Sequence, residues 1–250
     1  MFGVAGRSAV EERLPGLREQ LGADLTIVNG ENVAGGAGIT PKLADRLLAS
    51  GADVVTLGNH AYRRDGIGPY LARSDRVIRP ANQGAQTPGR GLTVVEARNG
   101  VHVAVLNLLG SLFLDTAVSP WEVVDGLVEE ARTAAPVVVV DFHAEATSEK
   151  IALSSWLDGR VTAVIGTHTH VQTNDARILP GGTAAITDAG MTGPHDSVIG
   201  VRTELAIRRM RSRQPVRFEP AEGGVRIEGV VVDCSEHGRA TAIELLRVTL

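Results

Sequence analysis

The sequence predicts an α/β fold: two mixed sheets packed together with helices outside, in one domain spanning residues 1–250. Three observations carry this. Short β-branched runs alternate with segments of helical apolar spacing along most of the chain. Residues 137–140 are four consecutive valines, a run apolar on both faces, as the centre of a parallel sheet requires. Two long alternating runs, 225–232 and 240–248, close the chain and read as antiparallel partners across Ser235-Glu236-His237-Gly238.

The elements follow in order. Residues 7–21 place Val10, Leu14, Leu17 and Leu21 at helical spacing, with Pro15 as a kink or break. Residues 25–29 form a short buried strand, and a loop with four glycines covers 30–38. Thr40-Pro41 opens a helix, Thr as N-cap and Pro in the first turn. A strand over 53–57 meets the turn Gly58-Asn59-His60, and a short helix follows near 64–72. Residues 92–97 and 101–108 flank Arg98-Asn99-Gly100 as a hairpin. Ser119-Pro120-Trp121-Glu122 is a capping box opening a helix to about 134. A helix over 148–157, a strand over 161–165 and a short strand over 183–186 complete the alternation.

Composition excludes several classes. With 43% apolar and 22% charged residues, the 250-residue chain is an ordinary globular protein rather than a disordered one. The net charge of −4 argues against a protein held mainly by nucleic-acid phosphates, and eight aromatics are few for a stacking platform. No stable nucleic-acid binding is expected. A single cysteine, Cys234, excludes an intramolecular disulfide and a cysteine-built metal site. No apolar run approaches the ~20 residues of a membrane helix, and no signal peptide pattern opens the chain. The expected location is the cytoplasm. Exposed strands and loops need covering, which is compatible with a homo-oligomer, although no specific patch argues for one.

The histidines carry the chemistry. Of seven, His60, His143, His168 and His170 lie just beyond the C-terminal ends of expected strands, the edge at which α/β sheets bind ligands. Glu31 and Asn32 end the 25–29 strand, and Asn59 precedes His60. Such mixed Glu/Asn/His donors suit manganese, iron or zinc. Each piece alone has an ordinary reading: Asn59-His60 as a turn, His143 as a satisfied core histidine, Glu31 as a solvated loop acid. Two histidines at i, i+2 in Gly166-Thr167-His168-Thr169-His170 are harder to explain that way. Asp141 and Asp188 are candidates for orienting ligand imidazoles or capping strand ends. His102 and His237 read as surface residues, His195 as a loop residue bordering the site, and the basic run at 208–213 as a solvated helix face.

The ordered set is more specific than its members. Asn29-Gly30-Glu31-Asn32, the Gly-Ile-Thr-Pro within 36–41, Thr56-Leu57-Gly58-Asn59-His60, Arg79-Pro80-Ala81-Asn82, DFHAEATSEK over 141–150, GTHTHVQT over 166–173 and TDAGMTGPHDSVIG over 187–200 together resemble the calcineurin-like metallophosphoesterases, and more closely their YmdB-like bacterial branch. The resemblance spans essentially the whole chain. It implies a four-layer α/β/β/α sandwich holding two metal ions, iron or manganese first. Glu31 would bridge the metals, Asn32 and His170 would bind the first, and Asn59, His143 and His168 the second. His60 would protonate the leaving oxygen. The implied activity is a phosphodiesterase acting on small phosphodiesters, 2′,3′-cyclic nucleotides in particular. Two adjacent cations clamp a phosphate and turn water into hydroxide near neutral pH, which attacks phosphorus in line.

One departure stands out. The family begins with a strand ending in Gly-Asp, whose Asp binds the first metal. Here Gly6-Arg7 and the helix are present, but the first strand and that Asp are lacking. A valine start codon misread as initiator methionine is the favoured explanation, in keeping with 23 arginines against two lysines. A real absence would instead favour an impaired or non-catalytic nucleotide-binding regulator. A zinc amidohydrolase is a third reading, disfavoured because its His-x-His pair normally comes early in the chain.

Overall fold

The computed structural model describes residues 1–84 and 86–250. Its centre is a six-stranded mixed sheet in the order β3-β4-β5-β6-β8-β7. The strands are β3 (Leu92–Glu96), β4 (His102–Leu109), β5 (Val137–His143), β6 (Ala163–Thr167), β7 (Arg177–Ile178) and β8 (Ala184–Ile186). β4, β5, β6 and β8 run parallel, so their C-terminal ends share one edge. β3 and β4 form the expected hairpin, with Gly100 at φ 84° in its turn.

Helices α4 (Pro120–Ala134) and α5 (Thr147–Trp156) cover the outer face of this sheet. Between them and the strands lies an apolar layer centred on Phe142, Leu106, Val140 and Leu153, all fully buried. Phe142→Ala is expected to cost about 3–5 kcal/mol through lost burial and the cavity it leaves; urea unfolding monitored by circular dichroism checks this.

The inner face of the central sheet meets two further sheets. One is the parallel pair β1 (Ile27–Asn29) and β2 (Val54–Thr56). Val54, Ile78, Val103, Val105 and Val137 fill this contact. The other is β11-β10-β9, from β9 (Gly193–Pro194), β10 (Val225–Cys234) and β11 (Ala240–Thr249). Ala163, Ala184 and Ala240 line its contact with the central sheet. Helices α1 (Gly3–Gln20), α2 (Pro41–Ala49) and α3 (Ile67–Arg73) form the far layer. α1 packs on β10 and β11 through Ala9 and Leu17, while Val10, Leu47 and Leu71 pack against Val55. The result is the expected α/β/β/α layering.

Several local expectations need correction. α1 begins at Gly3, four residues before the expected start, and runs through Pro15 without a break. Its first turn is small residues without apolar spacing, and Gly6 is needed there because a Cβ would stand 2.3 Å from Thr192 O. The Ser119 side chain makes no capping bond to α4, whereas Thr40 Oγ1 accepts from Leu43 N at the head of α2. The solvated helix face expected at 208–213 belongs to α6 (Thr203–Ser212), which starts five residues earlier, while β7 and β9 have no counterpart in the sequence reading. The segment ahead of α1 runs beside the end of β1: Met1 N donates to Asn29 O at 3.1 Å, and Phe2 bridges Asn32 in parallel. Among the described residues, no helix is long and apolar enough to cross a membrane.

Candidate metal centre

Asp141 ties the two parallel rims together. Buried near the end of β5, its carboxylate accepts from Asn29 Nδ2 on β1 (3.1 Å), from Thr56 Oγ1 on β2 and from Thr167 Oγ1 on β6 (2.7 Å). The ends of β1, β2, β5 and β6 thereby converge. Each of the sequence-predicted donors sits at or just past one of these ends.

Three predicted donor atoms meet around a fourth, His143 Nε2. Glu31 Oε2 lies 3.0 Å from it, His168 Nδ1 3.0 Å and Asn59 Oδ1 3.1 Å. Glu31, His143 and His168 present their ligand atoms within 4.8 Å of one another. The protonation of the imidazoles follows from their other nitrogens. His143 Nδ1 faces Thr167 Oγ1 at 3.0 Å, and that hydroxyl already donates to Asp141. His168 Nε2 faces Glu145 Oε2 at 3.0 Å. Hydrogens on those outer nitrogens leave His143 Nε2 and His168 Nδ1 with lone pairs pointing at each other, at an amide oxygen and at a carboxylate. Lone pairs packed this closely require a cation or a proton between them. The donor set therefore fits a borderline divalent metal.

A second group adjoins through Glu31. Asn32 Nδ2 lies 3.2 Å from both Glu31 Oε2 and His170 Nε2. Turning this amide about its last bond would present oxygen instead. His170 Nδ1 is held by Ile199 O at 2.9 Å, so its Nε2 faces inward. His168 and His170 both have positive φ, 103° and 65°, which turns the backbone so that two histidines two residues apart reach adjacent points of one site. Asp188 secures that turn rather than an imidazole: it accepts from Thr169 N (3.0 Å) and Thr169 Oγ1 (2.8 Å), and pairs with buried Lys150 (2.9 Å).

His60 stands apart from the four converging donors. Its backbone N donates to Glu31 Oε1 at 2.8 Å and its Nδ1 is 2.9 Å from Asn32 Oδ1. Its Nε2 has no hydrogen-bond partner among the described residues, and the ring is half-buried at the rim.

The electrostatics agree with a site built for cations. Burial pushes the Glu31 carboxyl up, but the His143 and His60 neighbours overcome this and hold it at about 2. Burial and the adjacent His143 bring His168 down to about 4, so it is a neutral donor at neutral pH. Burial likewise lowers His170 and His60, while His143 is raised because the Glu31 carboxylate outweighs its burial.

Three contributors were not singled out in the sequence. Glu145 and Thr167 fix the imidazoles of His168 and His143; both stand inside the quoted motifs, and an acid two residues after a candidate ligand was the available signal. In the sequence Gly58 reads only as part of a turn. A Cβ at Gly58 would lie 2.3 Å from His143 Nε2, so no larger residue leaves that ring in place. Gly58→Ala is expected to lower metal content and turnover together although no donor is removed; metal analysis of the folded variant checks this. Phe2, edge-on to His170 with ring centres 5.6 Å apart, is a further unanticipated neighbour. His195 does not join the donors: its Nδ1 lies 3.0 Å from Gly193 O and its Nε2 3.3 Å from Glu228.

A family model described as YmdB-like protein matches residues 1–246. The chain is 46% identical to the 2′,3′-cyclic-nucleotide 2′-phosphodiesterase of Bacillus subtilis (strain 168), over 100% of this chain and 94% of that protein. Among solved structures it is similar to a hypothetical protein of Thermus thermophilus, with TM-score 0.93, 39% identity and coverage of 99% and 96%. It is also similar to a Mycoplasma pneumoniae protein described as a novel phosphatase, with TM-score 0.91, 34% identity and coverage of 99% and 90%.

Proposed function

This chain belongs to the YmdB-like protein family, and we propose that it hydrolyses 2′,3′-cyclic nucleotides with two bound metal ions and His60 as the proton donor. Its kinship makes it a phosphoester hydrolase. The observation that carries the finer reading is the convergence of Glu31, Asn59 and His168 donors on His143 Nε2 within 3.0–3.1 Å.

In this reading Asn59, His143 and His168 would hold one ion, Asn32 and His170 the other, with Glu31 shared between them. Iron or manganese suits the donors best. When bound, the ions supply charge neutralisation at the phosphoryl oxygens and a more acidic water. The residues do the rest. Asn32 and Asn59 contribute neutral oxygens, so the site keeps a positive balance and accepts an anionic diester. Asp141 and Glu145 keep the ligand imidazoles turned inward through their outer nitrogens. His60, anchored through its backbone N–H on the Glu31 carboxylate, offers its Nε2 to the departing oxygen.

The balance is simple. Water would add its oxygen to phosphorus and release one proton to solvent, the bond from phosphorus to the 2′ oxygen would break, and that oxygen would take a proton from His60, which solvent then restores, leaving a 3′-phosphomonoester. Burial holds His60 below its ordinary value, and an anionic diester beside it draws the proton back.

The test is turnover of 2′,3′-cyclic mononucleotides and of bis-p-nitrophenyl phosphate in Mn²⁺ or Fe²⁺, before and after chelation. Hydrolysis to the 3′-phosphate that stops on chelation and returns with Mn²⁺ is expected. Tight binding without turnover in excess metal would mean a nucleotide-binding regulator and would overturn the proposal.

A further inference from the structure

We propose that residues 202–219 form a basic arm that binds the RNA chain leading into the site, so that this enzyme acts on oligoribonucleotides ending in a 2′,3′-cyclic phosphate. This rests on the phosphodiesterase reading above and extends it from a mononucleotide to a polymer end.

The whole-chain charge hides this feature. Residues 202–217 hold six arginines and one glutamate, so a chain of net charge −4 carries +5 here and −9 elsewhere. The one glutamate, Glu204, is engaged by Arg202, which also pairs with Glu219 at 2.9 Å and closes the base of the arm. The side chains of Arg208, Arg211, Arg213 and Arg217 make no ion pair or hydrogen bond among the described residues. All four are exposed. Arg208 and Arg211, three apart on α6, are like-charged neighbours, an arrangement that works against the helix. Only Ala206 of α6 is buried, so the fold gains little from this segment. Arg209 lies over the Phe218 ring at 5.6 Å, and Phe218 is itself 45% exposed. Free guanidinium groups beside a cation-capped aromatic ring are the elements with which proteins hold single-stranded nucleic acid.

The arm is rooted at the catalytic rim. It leaves and re-enters the body through the Val201–Pro220 bridge. Two residues before Val201, the Ile199 carbonyl holds His170 Nδ1 at 2.9 Å. The ten residues of α6 span about 15 Å, the reach of two or three nucleotides. An RNA chain whose cyclic end lies beside His170 and His60 would thus pass the root of this cationic track.

Chemistry supplies the matching substrate. When a ribose 2′-hydroxyl attacks the adjacent phosphorus, an RNA chain breaks into a 5′-hydroxyl fragment and one ending in a 2′,3′-cyclic phosphate. Cleavage of that class would feed this enzyme, and hydrolysis here would convert the cyclic end to a 3′-phosphate. An anionic lipid surface is the other polyanion to consider, since Ile207 and Met210 on α6 are exposed. The root beside His170 favours the RNA end.

The experiment compares the Mn²⁺-loaded chain with R208Q/R211Q/R213Q. A cyclic mononucleotide and a hexaribonucleotide with a 2′,3′-cyclic end are assayed for kcat/KM. A fluorescent hexamer with a 3′-phosphate is titrated by anisotropy at several salt concentrations. The wild-type chain is expected to prefer the hexamer by on the order of tenfold at low salt, and the variant to lose that preference with mononucleotide kcat/KM unchanged. The slope of log affinity against log salt should become shallower by about 2 for three lost phosphate contacts. Equal turnover of hexamer and mononucleotide by the wild type, or an unchanged preference in the variant, would overturn the proposal. So would arm-dependent binding to phosphatidylglycerol vesicles in the absence of hexamer binding. Should the wild type hydrolyse neither substrate, the phosphodiesterase reading fails, and anisotropy alone then decides the arm: binding lost in the variant sustains it, no binding overturns it.

Discussion

His143→Ala is expected to strip the centre of metal and to lower turnover by about three powers of ten. The argument is geometric. His143 Nε2 is the atom on which Glu31, Asn59 and His168 converge, so its loss removes the shared vertex of the donor set. Metal ions contribute several kcal/mol to the transition state of phosphoryl transfer, and each 1.36 kcal/mol is tenfold in rate, which is how the figure of about 10³ arises. The side chain is also fully enclosed, so no other donor can swing into its place. Metal analysis together with kcat/KM for a 2′,3′-cyclic nucleotide checks this. A variant that retains its metal complement would remove His143 from the ligand set.

His60→Ala is expected to give the opposite split: normal metal content with turnover of cyclic nucleotides reduced by about 10²–10⁴, the usual worth of acid catalysis. His60 stands outside the converging donors and leaves its Nε2 free. A second comparison separates a proton donor from a residue that merely shapes the site. A ribose alkoxide leaves poorly without a proton, whereas p-nitrophenolate leaves well without one. The variant should therefore lose far less activity on bis-p-nitrophenyl phosphate than on a cyclic nucleotide. Equal losses on both substrates, or metal loss matching that of His143→Ala, would contradict the role given to His60.

The parts of the fold legible in the sequence are those where a local pattern and burial agree. The four valines at 137–140 belong to β5, a strand buried on both faces, and the Asn-Gly turn joins β3 to β4. Thr40-Pro41 starts α2 as its capping chemistry requires. Elements defined by contact rather than pattern were invisible. α6 buries one residue and so has little apolar spacing to read, and only its basic run at 208–213 marks a helix face in the sequence, not its bounds. The first turn of α1 is small residues chosen for close approach to Thr192. β7 and β9 are two residues each and exist only because longer neighbours template them.

The same division runs through the candidate site. Each residue named as a donor was visible because carboxylate, amide and imidazole groups recur directly after strands, and parallel strands end at a common edge. That much is local chemistry plus strand order, and a linear sequence contains both. Direction is not local. Which imidazole nitrogen faces inward depends on Thr167, Asp141 and Glu145, drawn from two strands and a loop. The need for Gly58 comes from a ring 85 residues away in the chain, and Asp188 secures a backbone turn because Lys150 and Thr169 surround it. The sequence by itself determined the class of fold, the family and a set of candidate donors. Only the tertiary structure decided where their lone pairs meet and which basic side chains, among the described residues, make no ion pair. Those are properties of distances between segments remote in the chain, set by packing and not by any residue's neighbours in sequence.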